Sequence, residues 1–503
     1  MAVTDDGDGK LYARIALPPF DAPGTVLLKI AVSLRSESNA RKFLAEQIPG
    51  HDFEKAKAAA RETWNRRLSS IQIDTESETA KKIFYTALYH SFLMARDRTG
   101  DNPHTDSDTP HMDDHYCIWD TWRTKYPLMT LLNESYVARS INSFFERFER
   151  TGACQPTYTS SLEWEAKQGG DDVDNVIVDA WLKGVEGVDW TRAYRIIRFH
   201  ALNTRSHEYL RLGWQPETGS PMSCSAALEY AYNDWCISQF ARALGKEAEY
   251  AEYNLKGEYY KNYFNEATGF MQGKMQNGSW RTPFNPRALN HRKDDYCEGN
   301  AWQWSWFVPH DVGQLVELHG GRERFIMKLD SLFTISSQLE GPQISGDITG
   351  LIGQYAHGNE PGHHTVHLYN YVGESWKTQR LADTILYNLY LDAPDGLAGN
   401  VDWGQMSAWY ILNSIGFYPV APTDGIYSVG RPLFDRVRIS LPGGKKLIVK
   451  TINNSQENKY IQKMTVNGIE QNRPWLEHGT IMQGGTIEFT MGPEPNHDFG
   501  CIQ

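Results

Sequence analysis

Four short segments of the chain combine carboxylates, amides and histidines with tryptophan and glycine, the residue types from which hydrolytic and ligand-binding sites are built. Long loops rich in Gly, Pro and Asp border three of them, and loops of that length inside a compact domain usually carry function. The loops are 99–115, 267–297 and 340–364. The segments are 117–123 (CIWDTWR), 297–303 (CEGNAWQ), 357–364 (HGNEPGHH) and 395–405 (DGLAGNVDWGQ).

Two of these segments each supply a carboxylate that suits acid–base chemistry. Glu298 ends a long loop just before an aromatic helix, where partial burial against tryptophan raises a carboxyl pKa and favours a general acid. Asp402 follows a glycine-rich approach at the start of a helix predicted over 403–414. The alternatives are a Glu stabilised by the helix dipole and a plain N-cap Asp. Two carboxylates that face one pocket are the minimum for glycoside hydrolysis.

The other two segments suit ligand and cation binding. Asp120 and Arg123, three apart on a helix, can reach one ligand while Trp119 forms a floor, or they can simply form an ion pair. The oxygens of Asn359 and Glu360 suit a hard cation such as Ca²⁺. The histidine spacing of 357–364 is not a familiar zinc pattern, and a polar turn with buried histidines is the alternative.

Helices must position these segments. From about residue 77 the hydrophobic period is helical for some 340 residues, in hairpin pairs that fit an (α/α) toroid. Period-two alternation predicts strands at 11–17, 25–34 and through 426–503, with a hairpin turn at Asn467-Gly468. We expect a mostly α protein with flanking β-sandwich strands from both chain ends: a sandwich remnant (1–50), a helical linker (51–76), the toroid (77–425) and C-terminal strands (426–503).

Composition excludes several classes of protein. The chain has 503 residues, a formal charge of −12 and no long basic run, which argues against nucleic acid and anionic membranes as partners. No apolar stretch approaches the roughly 20 residues needed to span a bilayer. Six scattered cysteines without a CxxC pair make a zinc site or a disulfide framework improbable. The polar start, MAVTDDGDGK, is not a signal peptide, so we expect either a cytosolic protein or a missing natural N-terminus.

Taken together, the motifs resemble those of glycoside hydrolase family 92. The similarity runs in one order from about residue 80 to the end of the chain. The motifs that carry it are WDTWR, EGNAWQWSWFVPHD, HGNEPGHH, LYNYVG with WKTQ, GNVDWGQMSAWYILNSIGFYPV and MGPEPNHDFG.

The resemblance implies a calcium-dependent exo-α-mannosidase that inverts the anomeric centre, with an N-terminal β-sandwich, a helical linker and an (α/α)₆ toroid. By position in the motifs, it implies Glu298 as general acid and Asp402 as general base. It places Ca²⁺ at a site formed by Asn359, Glu360 and Asp402. It also implies mannose binding by a set of residues around the pocket: Trp119, Asp120, Arg123, His357 and Asn400.

Three positions bear on the substrate. Gly358 stands where relatives that prefer α-1,2 linkages carry an acid, which leaves α-1,3, α-1,4 and α-1,6 linkages open. Glu298 is present where relatives that cleave mannosyl phosphodiesters carry Gln, so an ordinary glycoside is expected. Asn400 replaces a second aspartate found in some relatives.

The resemblance also implies that the N-terminal sandwich is truncated here. We therefore expect the isolated chain to expose a sheet edge and an apolar patch, and to need either the missing N-terminal domain or a second chain that supplies strands. Secretion or a periplasmic location follows from the family alone. A mannose-containing glycan is the expected partner. The rival functions are another inverting glycosidase or a phosphorylase on the same toroid, and a degenerate mannose-binding protein.

Overall fold

A computed structural model gives the structure of the chain and describes residues 2–5, 11–17, 19, 24–152, 168–216 and 221–501. The chain divides into two compact units, Met1–Asn65 and Arg66–Gln503. Cys154 lies outside the described residues. In the described part of the chain, no helix is both long enough and apolar enough to cross a bilayer.

The first unit contains one strand pair and two helices. Strand Ala2–Asp5 pairs antiparallel with Leu11–Arg14, and helix Glu37–Gln47 precedes Phe53–Leu68, whose last residues belong to the second unit. The strand predicted at 25–34 is wrong, because this segment has no strand pairing among the described residues. Alternation sets only which side chains share a face, whereas a strand also requires a backbone partner.

The prediction of a purely helical linker over 51–76 also needs correction. Its helix ends at Leu68, and Ile71–Asp74 is a strand that pairs with Arg436–Ser440 of the C-terminal sheet. The alternation of four residues is too short to predict a strand from sequence. Ile71 and Ile73 are buried on the inner face, so tertiary pairing determines this element.

Helical residues far outnumber strand residues in the second unit, so its regular structure is mostly α. The first helix, Glu78–Ser91, packs against the last long helix, Gln405–Ile415, and this contact closes the helical region into a ring. The α-helices are Glu78–Ser91, Ile118–Thr121, Lys125–Leu132, Glu134–Thr151, Asp172–Leu182, Trp190–Asn203, His207–Leu212, Ser223–Ala243, Glu247–Gly257, Ala301–Trp304, Val312–Leu318, Arg322–Thr334, Ser375–Asn388, Gln405–Ile415 and His478–Gln483. Short 3₁₀ helices are Tyr259–Tyr263, Glu360–Gly362, Thr365–Val372, Asp402–Gly404, Pro422–Asp424 and Pro442–Gly444.

The helices that line the inside of this ring are buried on almost every side. Ser223–Ala243 and Gln405–Ile415 bury polar as well as apolar residues. Buried polar groups are costly unless hydrogen-bonded, so their presence on inner helices marks where the interior is polar. Of the four functional segments, 395–405 leads directly into Gln405–Ile415.

The C-terminal strands form two sheets. The larger has the order Ile469–Gln471, Tyr460–Val466, Gly485–Gly492, Lys446–Ile452, Arg436–Ser440, Ile71–Asp74, and its only parallel pair among the described residues is Lys446–Ile452 with Gly485–Gly492. The smaller comprises Phe417–Tyr418, Ile426–Val429 and Trp475–Glu477. The predicted Asn467-Gly468 turn is confirmed, with φ of 51° and 81° as a type I′ turn requires.

Two-stranded ribbons brace the long loops. Arg96–Asp97 pairs with Met112–Asp113, Phe264–Asn265 with Phe270–Met271, and Leu351–Ile352 with Tyr355–Ala356. Ala288–Asn290 pairs in parallel with Glu340–Gln343, which joins two of the three loops flagged in the sequence. This ladder lies a few residues before Glu298.

Candidate active site

The segments singled out in the sequence meet in the second unit. Cys117, Asp120 and Asp402 each place a side-chain atom within 4.8 Å of the others. The amide of Asn359 donates to the backbone carbonyl of Glu298 at 2.7 Å. The carboxyl of Asp120 also lies close enough to those of Glu298, Glu360 and Asp402 for the charges to interact, so all four segments contribute to one cluster although they are far apart in the chain.

Glu229, on the helix Ser223–Ala243, holds the segment 117–123 through hydrogen bonds. Its Oε1 accepts from Trp119 Nε1 at 2.7 Å and from Arg123 Nη2 at 3.3 Å. Its Oε2 accepts from the backbone N–H of Gly170 at 2.8 Å. All these groups are buried. Arg123 balances the charge of Glu229, and the hydrogen bond to Glu229 fixes the orientation of the Trp119 indole.

Arg123 and Asp120 differ in how they are held. The guanidinium of Arg123 packs against the rings of Trp122 and Phe307, 4.6 and 4.9 Å from their centroids. Asp120 is buried, and its Oδ1 has no hydrogen-bond partner among the described residues. Burial, reinforced by Asp402, raises the pKa of Asp120 well above its usual range. This carboxylate is thus available to a ligand or a cation.

Glu298 is held in a strained but well-supported position. Its φ of 46° lies in the left-handed region, where a residue other than glycine costs free energy and persists only when neighbours fix it. Its Oε1 accepts from Arg292 Nε at 2.7 Å and from Gln168 Nε2 at 2.9 Å. Together with the Asn359 amide on its carbonyl, these contacts hold both backbone and carboxyl.

The carboxyl of Glu298 is poised to exchange a proton near neutral pH. Burial is the main cause, repulsion by Asp347 adds to it and Arg292 opposes it, and the pKa rises to about 7. Asp347 accepts a hydrogen bond from Ser345 at 2.7 Å, and Ser345 also contacts His291 at 2.9 Å. This network belongs to the two loops joined by the parallel ladder, so the loops tune the acid as well as shape the site.

Asp402 lies in a run of three residues with positive φ. Asp402, Trp403 and Gly404 have φ of 38°, 53° and 98°. The ring of Trp403 packs 4.9 Å from that of Tyr116. A Cβ at Gly404 would lie 2.9 Å from Ser91 Cα, so only glycine fits. The side chain of Asp402 is half-buried. Burial raises the pKa of its carboxyl, and a hydrogen bond with Glu360 offsets part of that rise.

Beside Asp402 the donor set fits a cation. Among the described residues, neither buried carboxylate oxygen of Glu360 has an N–H or hydroxyl donor, and the carboxyl of Asp402 lies within hydrogen-bonding reach. Burial, then Asp402 and Asp120, raises the pKa of Glu360 well above its usual range. Buried carboxylates that repel one another are normally paired or bound to metal, so three such groups with an adjacent amide suit a hard cation. Asn359 lies next to them.

Two predicted site residues are placed differently. Both ring nitrogens of His357 contact tyrosine hydroxyls, Tyr355 at 2.9 Å and Tyr390 at 2.8 Å, and burial lowers its pKa to about 3. Its ring is a core hydrogen-bonder with no nitrogen left for a sugar, as the alternative interpretation had it. Asn400 is exposed rather than enclosed with Asp402. The structure brings neither side chain into the cluster.

Gly358 occupies a position with no room for a side chain. A Cβ there would collide with Thr349 Oγ1 and lie 2.9 Å from the carbonyl oxygen of Ala398. An acid at this position would require the segments around 349 and 398 to move. The absence of an acid after His357 is therefore built into how these loops pack.

The comparisons with known proteins agree with this geometry. The model of the glycosyl hydrolase family 92 catalytic domain matches residues 39–493. The chain belongs to glycosyl hydrolase family 92. It is 33% identical to a solved family 92 α-mannosidase of Bacteroides thetaiotaomicron in complex with mannoimidazole, with a TM-score of 0.88, over 93% of this chain and 63% of that one. A family 92 inverting mannosidase of the same organism is 31% identical, with a TM-score of 0.84, over 93% and 66%.

A further relative is described as an uncharacterized secreted glycosidase of Arthroderma benhamiae. It is 28% identical over 94% of this chain and 61% of its own length. The chain thus spans about two thirds of the length of these relatives. The family assignment made from the motifs is confirmed.

Four residues of the site were not predicted from the sequence: Gln168, Glu229, Arg292 and Asp347. None lies in a recognisable motif, and only their contacts reveal them. Gly169-Gly170 was a usable signal, because paired glycines outside a turn indicate close backbone approach.

Proposed function

We propose that this chain is the catalytic part of a calcium-dependent, inverting exo-α-mannosidase that releases terminal mannose from α-mannosides. The observation that carries the proposal is Glu298, whose pKa of about 7 suits a general acid, together with Asp402, a carboxyl from another loop that lies close enough to raise the pKa of Glu298. The solved relatives described as α-mannosidases, one of them inverting, support the substrate and the stereochemistry.

In this proposal Glu298 donates its proton to the oxygen of the leaving group as the glycosidic bond breaks. Asp402 accepts a proton from the water that attacks the opposite face of the sugar ring. One carboxyl must be protonated and the other ionised at the working pH. Burial and Asp347 favour the first condition.

Ionisation of Asp402 needs positive charge nearby, and Asn359 and Glu360 are the residues that would hold Ca²⁺ beside it. Bound there, Ca²⁺ supplies charge neutralisation and oxygen ligation of the sugar hydroxyls. In the described part of the chain, three buried oxygens, two on Glu360 and one on Asp120, have no N–H or hydroxyl donor, which supports a cation of this type.

Mannose recognition falls to the segment anchored by Glu229. Trp119 offers an apolar surface whose indole N–H is already used, so it orients the sugar by packing rather than by hydrogen bonding. Asp120 has an unused oxygen for a hydroxyl or the cation. Arg123 packs against the rings of Trp122 and Phe307 and so helps to hold this segment in place.

A panel of α-linked mannobioses, followed by NMR with Ca²⁺ or with EDTA, tests the proposal. We expect calcium-dependent release of mannose with β-mannose as the first-formed anomer, and the panel identifies the linkage. First formation of α-mannose would contradict inversion, and equal rates in EDTA would contradict the calcium requirement. Release that depends on phosphate and yields a sugar phosphate would instead identify a phosphorylase.

We also propose that the protein acts outside the cytosol, secreted or in the periplasm. The description of the Arthroderma benhamiae relative as secreted supports this. A free Ca²⁺ concentration high enough to fill a site of moderate affinity is available there. Detection of the full-length protein in the culture medium or periplasmic fraction of its source cells tests the location.

A further inference from the structure

The hydrogen bonds to Glu298 fall on one of its two carboxyl oxygens. Oε1 accepts from Arg292, through both Nε and Nη2, and from Gln168. In the described part of the chain, Oε2 has no hydrogen-bond donor. A protonated carboxyl has one oxygen that accepts and one that donates. Donors crowded on Oε1 make it the accepting oxygen, which leaves the hydroxyl on Oε2.

The two donors differ in what they do to the acid. Arg292 is charged and its side chain is 39% exposed, so it favours the ionised carboxyl and can move. Gln168 is neutral and only 5% exposed. A neutral amide orients Oε1 without adding charge, so it can hold a carboxyl that must stay protonated.

The backbone after Gln168 is held tightly enough to give this amide one position. A Cβ at Gly170 would lie 2.7 Å from Asn233 Oδ1 and 2.8 Å from Glu229 Cβ, so the chain passes where only glycine fits. Gly170 N–H donates to Glu229, and Asp171 N–H donates to Asn233 at 2.7 Å. The helix Ser223–Ala243, which holds the proposed mannose-binding segment 117–123, therefore also places Gln168.

We propose that Gln168 is a positioning residue for the acid: its amide, together with Arg292, fixes Oε1 as acceptor and directs the hydroxyl on Oε2 toward the leaving group. This inference rests on the proposed role of Glu298. It assigns Gln168 no contact with the sugar.

The test compares Gln168→Met, which keeps the length of the side chain and removes the donor, with the parent. Each protein is assayed on two substrates. The leaving group of mannobiose needs a proton, and the leaving group of dinitrophenyl α-mannoside does not. We expect kcat/KM for mannobiose to fall about 10- to 100-fold, as for a misplaced catalytic group, and that for the dinitrophenyl substrate to change little. A series of aryl mannosides would show a steeper dependence of rate on leaving-group pKa.

Gln379→Met is the matched control. Gln379 is equally buried, and its side-chain oxygen accepts from Ile461 N at 2.8 Å, so its loss removes a buried amide outside the cluster. We expect lower thermal stability and an unchanged ratio between the two substrates. Parallel losses on both substrates in Gln168→Met, or no loss on mannobiose, would overturn the inference while an active parent preserves the proposed function. The parent is the full-length protein, and its inactivity on both substrates would overturn both the inference and the proposed function.

Discussion

Replacement of Glu298 by Gln removes the acidic proton and little else. The amide oxygen of Gln can still accept from Arg292 and Gln168, and the backbone contact from Asn359 is untouched, so the variant should keep its fold and its pocket. The expected cost is that of general acid catalysis, about 10² to 10⁴ in rate. At about 1.4 kcal/mol per decade this is about 3 to 5 kcal/mol of transition-state stabilisation.

The assay is kcat/KM for mannobiose and for dinitrophenyl α-mannoside, each at pH values on both sides of 7. We expect the full loss only on mannobiose, because a dinitrophenolate departs without a proton. In the parent, mannobiose hydrolysis should decline as the pH rises through about 7, where Glu298 ionises, and the variant should lack this decline. Asp402→Asn should slow both substrates equally. Equal losses on both substrates in Glu298→Gln would refute the assignment of Glu298 as the acid.

Other perturbations test the support around the site. Glu229→Ala leaves the buried Arg123 without its carboxylate partner and should lower the free energy of unfolding by about 3 kcal/mol, measured by urea denaturation; a change below about 0.5 kcal/mol would contradict that role. Ca²⁺ at 100 times its Kd should stabilise the parent by about 2.7 kcal/mol, which is measured as a rise in Tm. Glu360→Ala should abolish this rise, and an equal rise in the variant would exclude Glu360 as a ligand. Burial lowers the pKa of His367 to about 3, whereas its pKa in the unfolded chain is near 6.5. Between these two pH values only the unfolded chain binds a proton on this imidazole. Stability should therefore fall as the pH drops from about 6.5 toward 3, and His367→Gln should reduce that slope; an unchanged slope would show that His367 does not contribute.

The sequence predicted best where chemistry and local backbone geometry coincide. Asn467-Gly468 formed the expected turn because its two residues tolerate positive φ. Glu298 and Asp402 were predicted as site residues because each is a carboxylate beside tryptophan and glycine in a motif, and the structure places their carboxyls close enough for the charges to interact. Their left-handed φ values were not foreseen, since neither residue type requires that conformation.

The residues that support the site were out of reach of the sequence. Gln168 and Glu229 act through contacts with Glu298 and Trp119, from segments that are distant in the chain, and no spacing rule joins them. His357 shows the reverse problem, because a histidine in a polar motif looks like a ligand whether it faces the pocket or the core. Only the two tyrosine hydroxyls on its ring separate the cases.

Closure of the helical ring has a consequence for biosynthesis. Glu78–Ser91 is made early and Gln405–Ile415 more than 300 residues later, yet these helices pack together, and Gly404 lies directly on His90 and Ser91. Contacts so distant in sequence form late, since a long loop must close before they form. During translation, Asp402 does not reach its position in the site until Gln405–Ile415 docks on Glu78–Ser91. On the proposed mechanism, a chain that ends before the last long helix thus has its general acid in place and lacks its general base.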